Sequence, residues 1–176
     1  MTAPLRVRPT TAGTWAVSDS RTRVAFAVGN LGRVAHGSVA CSHGTVEVDD
    51  RGTPVRAFAE LDLNSVDTGI SKRDADLRKP WLLDIDRHPV MTWRCDRFVA
   101  GGDGGWTAEG ELTVRGTTVP LAVTGRPEAA ALDGEWLRVR AEAVLDRTAV
   151  GIRAPSFLIG RTVSITVDAW LTRIHQ

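Results

Sequence analysis

The sequence has no tyrosine, two cysteines, no run of basic residues and no apolar stretch of membrane-spanning length. Each absence removes a class of function. Lys plus Arg total 22 against 21 for Asp plus Glu, a formal net charge of +1. Nucleic-acid binding needs clustered positive charge to displace counterions from phosphate, so no nucleic-acid partner is expected. A helix crossing a bilayer needs about 20 mostly apolar residues, so stable membrane insertion is not expected either. Cys41 and Cys95 are too few and too far apart for a zinc knuckle or a disulfide framework. In a reducing cytoplasm they serve as small, buried, unpaired side chains. Residues 1–13 read as an N-terminal extension ahead of one domain over 14–176, and they lack the continuous apolar segment of a secretory signal. The expected location is the cytoplasm.

Catalytic and metal-binding patterns are also missing. His36, His43, His88 and His175 form no HxH or HExxH pair, and zinc needs three or four convergent ligands. The acidic group Asp67, Asp74, Asp76, Asp84 and Asp86 fits no EF-hand loop. Asp67 and Asp74 stand where carboxylates cap turns or helix starts. No serine sits in a Gly-x-Ser-x-Gly elbow, and neither cysteine has a neighbouring base. The glycine-rich stretch 101–105 contains Asp103, which repels phosphate, so it reads as a hairpin loop. No catalytic residue, metal or cofactor is expected.

What the chain does have is period-two alternation, the mark of half-buried strands. Val24, Phe26 and Val28 alternate with Arg23, Ala25 and Ala27. Ala57, Ala59, Leu61 and Leu63 form a second apolar row, and Met91, Trp93 and Cys95 a third. Trp106, Ala108, Gly110, Leu112 and Val114 follow, then Val119, Leu121 and Val123. Leu137, Val139, Ala141, Ala143 and Leu145 face away from Arg138, Arg140 and Glu142. Val163, Ile165, Val167, Ala169 and Leu171 complete the set. Residues 34–48 read as two short strands around Ser42-His43-Gly44. Turn residues tolerant of positive φ separate the runs, at Asp50-Arg51-Gly52, 101–105, Arg115-Gly116-Thr117 and Asp133-Gly134.

Such strands make an antiparallel meander, and about eight of them can close into a barrel without exposed edges. The exception is the polar stretch 71–79, ended by Pro80, which reads as a short helix or turn capping one end. The predicted fold is all-β, a single eight-stranded antiparallel barrel with one short capping helix. Its apolar faces are studded with alanine, at 57, 59, 108, 141 and 143. Small residues on an inner wall fit close packing as well as room for a guest, since a barrel of this size either fills itself or encloses one small ligand. Tryptophan occurs six times. Stacking on bases would require a positive groove, so these rings are assigned to the core or lumen wall.

The order of motifs resembles the YceI-like family of lipocalin-like polyisoprenoid-binding proteins over 15–173. The features are Trp15-Ala-Val, Val24-Ala-Phe26-Ala-Val28 with Leu31-Gly32, the stretch 37–44, and Leu63-Asn-Ser-Val-Asp67-Thr-Gly69. Arg73-Asp74-Ala-Asp-Leu77-Arg78, Leu83-Asp84, His88-Pro89 and Gly110-Glu-Leu-Thr-Val-Arg115-Gly116 follow in order. The resemblance implies a lumen that takes a long isoprenoid chain, such as a polyprenyl or quinone tail. It also implies that Asp67, Thr68, Gly69, Arg73 and Asp74 are mainly architectural, and that no residue is catalytic. The chain departs from the pattern at Val39, Ser42, Leu82, Leu83 and His88, where the family usually carries aromatics, and at Asn30 in place of a histidine. Many members are exported.

The leading expectation is a non-enzymatic carrier or store of an isoprenoid-type lipid. Its lumen wall would comprise Phe26, Val28, Ala59, Leu61, Leu63, Met91, Trp93, Leu112, Val114, Leu121, Val139, Ala141, Ala143, Ile165 and Val167. A second reading is a lipid-acting enzyme, which needs a polar residue in the lumen, with Asn30, His36 and His88 as candidates. A third is a self-filled barrel serving as an interaction or stress-related module. Association into a homodimer is left open.

Overall fold

A computed structural model of the chain describes residues 11–129, 135–153 and 159–174. Ten strands run in chain order: β1 (Gly13–Val17), β2 (Arg23–Asn30), β3 (Arg33–Val48), β4 (Pro54–Asp67), β5 (Val90–Cys95), β6 (Phe98–Ala100), β7 (Trp106–Val114), β8 (Thr117–Ala129), β9 (Trp136–Asp146) and β10 (Ile159–Arg173). One helix, α1 (Ser71–Leu77), follows β4, and a single 3-10 turn (Arg147–Val150) follows β9. All strand pairs are antiparallel, and β9 pairs with β10 to close the ring. The result is the predicted closed eight-stave antiparallel barrel. Ten strands make eight staves because two staves are split. β2 and then β1 occupy the slot between β3 and β10, and β5 and then β6 share the flank of β7.

The two short strands expected in 34–48 are one continuous strand. Ser42-His43 forms no turn. The register against β4 slips there, from Cys41↔Leu61 to His43↔Glu60, and a bulge absorbs the extra residue. The turn at Arg115-Gly116 is as expected, with φ of 53° and 71°, the positive values a tight hairpin demands. The expected turn at Asp133-Gly134 and His175 lie outside the described residues.

The two ends of the barrel differ. At one end, β4 leads through α1 and residues 78–89 to β5. The helix itself has no buried residue, so it does not plug the barrel. The plug is the segment after Pro80, where Ile85 is fully buried and Leu82 nearly so. Ile85 packs with Leu63, Val114, Leu145 and Val150 in the main core. Arg115 knits this end together, donating to the carbonyls of Gly151 (2.5 Å) and Pro80 (2.6 Å). Arg147, buried on the 3-10 turn, donates to the carbonyls of Gly160, Ile152 and Ile159. At the opposite end a second, smaller cluster gathers Trp15, Val48, Leu137, Ala169 and Leu171.

Candidate functional site

Between the two clusters the barrel is hollow. The cavity measures about 240 Å³ and is partly open. Its position follows from the inward rows of the strands. Where Leu63, Val114 and Leu145 stand, large side chains meet across the axis. One to three inward positions further along, the wall shrinks to Gly44, Ala57, Ala59, Ala108, Gly125, Ala141 and Ala143. Gly44 and Ala59 are partners across β3 and β4, and Gly125 and Ala141 across β8 and β9. Opposite walls that both lack bulk leave unfilled space. That is why Ala59, Leu61, Met91, Ala141, Ile165 and Val167 stay half-buried although they point inward.

Eleven of the fifteen expected wall residues border the cavity: Ala59, Leu61, Met91, Trp93, Leu112, Leu121, Val139, Ala141, Ala143, Ile165 and Val167. Four do not. Leu63 and Val114 are buried in the plug, where the barrel is filled. Val28 lies one pair past the hollow, level with Val163 and Leu145. Phe26 is level with Ile165, but its ring is laid over Gly37 of the neighbouring strand. Val24, Cys41, Ala57, Ala108, Leu137, Ala169 and Leu171 also border the cavity. All but Cys41 stood in the alternating rows already, so the pattern could have found them. Pro54 and Phe98, which close its wall near β6, carry no such signal.

The tryptophans divide. Trp93 and Trp106 border the cavity and Trp15 is buried in the smaller cluster. The other three correct the expectation of core or wall. Trp81 is 56% exposed. Trp136 and Trp170 alternate with inward Leu137 and Leu171, so they meet edge to face on the outside, with Arg21 over one ring and Arg138 over the other.

Among the described residues, charge is kept outside the cavity. Arg126 contributes to the boundary from β8, yet it follows the inward Gly125, and its guanidinium pairs externally with Asp103. The Gly105 N–H first, and then Arg126, hold the Asp103 carboxyl below the usual range. Arg138 binds Asp168 through two parallel bonds of 2.7 and 2.8 Å, also on the outer face. Cys41, at the cavity wall, donates to the His43 carbonyl, and burial raises its thiol pKa. The lumen residue that a lipid-acting enzyme would need is not among the three candidates: Asn30, His36 and His88 all lie off the cavity, and His36 is exposed. Among the described residues, no three His, Cys, Asp or Glu side chains converge to hold a metal ion.

The motif at 67–74 is a self-contained hydrogen-bonded loop. Asp74 accepts from the Thr68 backbone N–H (2.9 Å) and hydroxyl (2.5 Å). Arg73 donates to the Thr68 hydroxyl and carbonyl, and Asp67 accepts from the Gly69 N–H. None of these residues touches the cavity.

Residues 15–171 match the family model of the YceI-like domain. A UPF0312 protein of Pectobacterium atrosepticum is 28% identical over 92 residues, 52% of this chain and 47% of that protein. A UPF0312 protein of Pseudomonas aeruginosa is 32% identical over 66 residues, 38% of this chain and 34% of that protein. The match thus spans about half or less of the length of these curated relatives. Among solved structures, Burkholderia cenocepacia BcnA superposes with a TM-score of 0.76 at 15% identity, covering 88% of this chain and 98% of that one. A polyisoprenoid-binding domain from Saccharophagus degradans superposes with a TM-score of 0.66 at 14% identity, covering 91% and 98%. At these identities the structural likeness establishes the fold.

Proposed function

This chain belongs to the YceI-like family, and from that premise we propose that its barrel binds an extended isoprenoid-type lipid, a polyprenyl or quinone tail, without chemically altering it. The observation that carries the reading is the hollow itself. An apolar, uncharged cavity between two packed clusters forfeits contacts that a filled core would make, and a chain of matching section restores them.

Binding of this kind rests on removing apolar surface from water, at about 25 cal/mol per Å², or ~0.8 kcal/mol per methylene. The volume falls just below the ~300–1,000 Å³ of ordinary small-molecule pockets. It therefore encloses a segment of a long chain, with the remainder at or beyond the opening. The indole N–H of Trp93 is already engaged, donating to the Leu121 carbonyl at 3.0 Å, so it presents a ring face and no free donor. With so few polar contacts on the wall, discrimination between homologous chains is weak. A carrier or store tolerates that; an enzyme must also place a reacting group. Cytoplasmic residence belongs to the same proposal, supported by two thiols that are buried and unpaired.

Organic extraction of the purified protein followed by mass spectrometry tests the reading directly. A stoichiometric isoprenoid is the expected result. Lipid-free protein that also shows no saturable uptake of an isoprenoid-tailed quinone would refute it.

A further inference from the structure

The two split staves of the barrel are not mended alike. Where β2 ends, β1 fills the gap on both sides: Trp15 pairs with Val46 of β3 and with Arg173 of β10. Where β5 ends, β6 continues the stave on one side only. Phe98, Val99 and Ala100 pair with Ala108, Thr107 and Trp106 of β7. The ladder between β4 and β5 stops at Ala57↔Cys95, and among the described residues β6 pairs with β7 alone. The first residues of β4, from Pro54 to Arg56, therefore face β6 with no ladder between them. Pro54 has no N–H to offer one. The arginines flanking the gap are also tied away from it. Arg56 pairs with Glu47 of β3, while Arg97, just before β6, pairs with Glu109 of β7 and accepts its backbone N–H.

Behind this seam lies the cavity, bordered there by Pro54, Ala57 and Phe98. Outside it stand two exposed valines, Val55 and Val99, 42% and 45% accessible. Parting any other pair of staves at this level would break ladder hydrogen bonds; parting these two banks breaks none. We infer that the seam between residues 54–56 and β6 is the portal through which a flexible, acyclic chain enters the lumen sideways, with Phe98 as the side chain it must pass. A slit of this shape admits a chain one segment at a time and leaves a polar head in water. A rigid polycycle would need the staves themselves to separate. This inference rests on the lipid-binding reading above.

The test bridges the banks. The double variant Val55→Cys, Val99→Cys is linked with a bismaleimide whose spacer contains a disulfide, while Cys41 and Cys95 stay unlabelled through burial. Uptake of an isoprenoid-tailed quinone is followed by quenching of intrinsic tryptophan fluorescence. Bridged protein is expected to load at least tenfold more slowly, and cleavage of the spacer should restore the parent rate. Each single variant, capped with a monofunctional maleimide, should load as the parent does. Phe98→Ala should load faster. Bridged protein that loads at the parent rate would overturn the portal and leave an end of the barrel as the route. A parent that takes up no quinone removes the lipid-binding reading, and the portal with it.

Discussion

The indole of Trp93 occupies the space that a side chain on Gly110 would need. A Cβ on that glycine would stand 2.5 Å from Trp93 Cε2 and 2.6 Å from the Arg94 carbonyl oxygen. The ring bridges three strands, leaving β5, covering β7 at Gly110 and donating to the Leu121 carbonyl on β8. Gly110→Ala should therefore act on shape and stability together. One of the two clashing atoms is backbone and cannot swing aside, so a cost of about 1–3 kcal/mol or more is expected, as for other overpacked sites. The displaced ring enters the cavity, and affinity for an isoprenoid chain falls. Gly125→Ala is the comparison. Its new methyl meets Ala141 Cβ at 3.1 Å and the Arg140 carbonyl at 3.4 Å, so it should cost less. Equal melting temperatures for the two variants would contradict this account.

Arg73→Ala should lower stability and leave lipid affinity intact. Its guanidinium holds the loop through the Thr68 hydroxyl at 2.9 Å and carbonyl at 2.8 Å, away from the cavity. Losing hydrogen bonds from a charged donor costs about 1–3 kcal/mol. The check is a melt paired with a quinone titration. Lost binding at an unchanged melting temperature would make the loop part of the site.

Asp146 offers a pH signature. Its carboxylate accepts from the Thr148 hydroxyl at 2.6 Å and from Arg161 Nε at 2.8 Å, and these bonds, Thr148 first, pull its pKa from 3.8 to about 2. A pKa depressed by folding means the ionised form stabilises the native state. That contribution is complete above about pH 4, the unfolded value, and is lost as pH falls toward 2. Asp146→Ala should melt below the parent at pH 7, with the difference closing between pH 4 and 2. A gap that stayed constant down to pH 2 would show that the carboxylate charge contributes nothing.

Both thiols should react slowly in the native protein. Burial is the largest influence on each and raises its pKa, so little thiolate is present at neutral pH. Cys41 and Cys95 also donate to the carbonyls of His43 and Arg97, two residues on in each case. Labelling by a thiol reagent should therefore track unfolding. Rapid stoichiometric labelling of folded protein is the contrary result.

Most of the barrel was legible because period two is a direct consequence of the pleat. Ala57, Ala59 and Leu61 border the cavity as their alternation with Glu60 requires, although Phe58 between them also reaches its boundary. What alternation cannot show is depth along the axis. Leu63 and Ala59 lie on the same face of β4, yet one is locked in the plug and the other borders the hollow. That difference is set by residues far away in sequence, chiefly Ile85 and Val150. Nor does alternation reveal a side chain's azimuth: it points Phe26 at the lumen wall, whereas Gly37 gives its ring a resting place on β3. The bulge at Ser42-His43 mimicked a turn because its polar residues and Gly44 match turn chemistry.

The decisive variant is Ala141→Trp. Ala141 borders the cavity between Gly125 on one side and Val167 on the other, the least bulky stretch of wall. Ala59 is less suited to the same test, because its cross-strand partner is already Trp93. In a filled core, adding an indole overpacks by roughly 1–3 kcal/mol or more. Here the added atoms enter space that is otherwise empty or held by lipid, so the folding cost should remain under about 1 kcal/mol. The guest loses that volume, and each methylene it can no longer bury weakens binding by ~0.8 kcal/mol. Excluding four carbons thus lowers affinity by about 3 kcal/mol, more than a hundredfold. Two measurements settle it together: the melting temperature without lipid, and quenching of tryptophan fluorescence on titration with an isoprenoid-tailed quinone. Severe destabilisation would mean that the hollow collapses around Ala141 in solution, as in a self-filled barrel. Retained affinity with a stable fold would place the ligand somewhere other than this cavity.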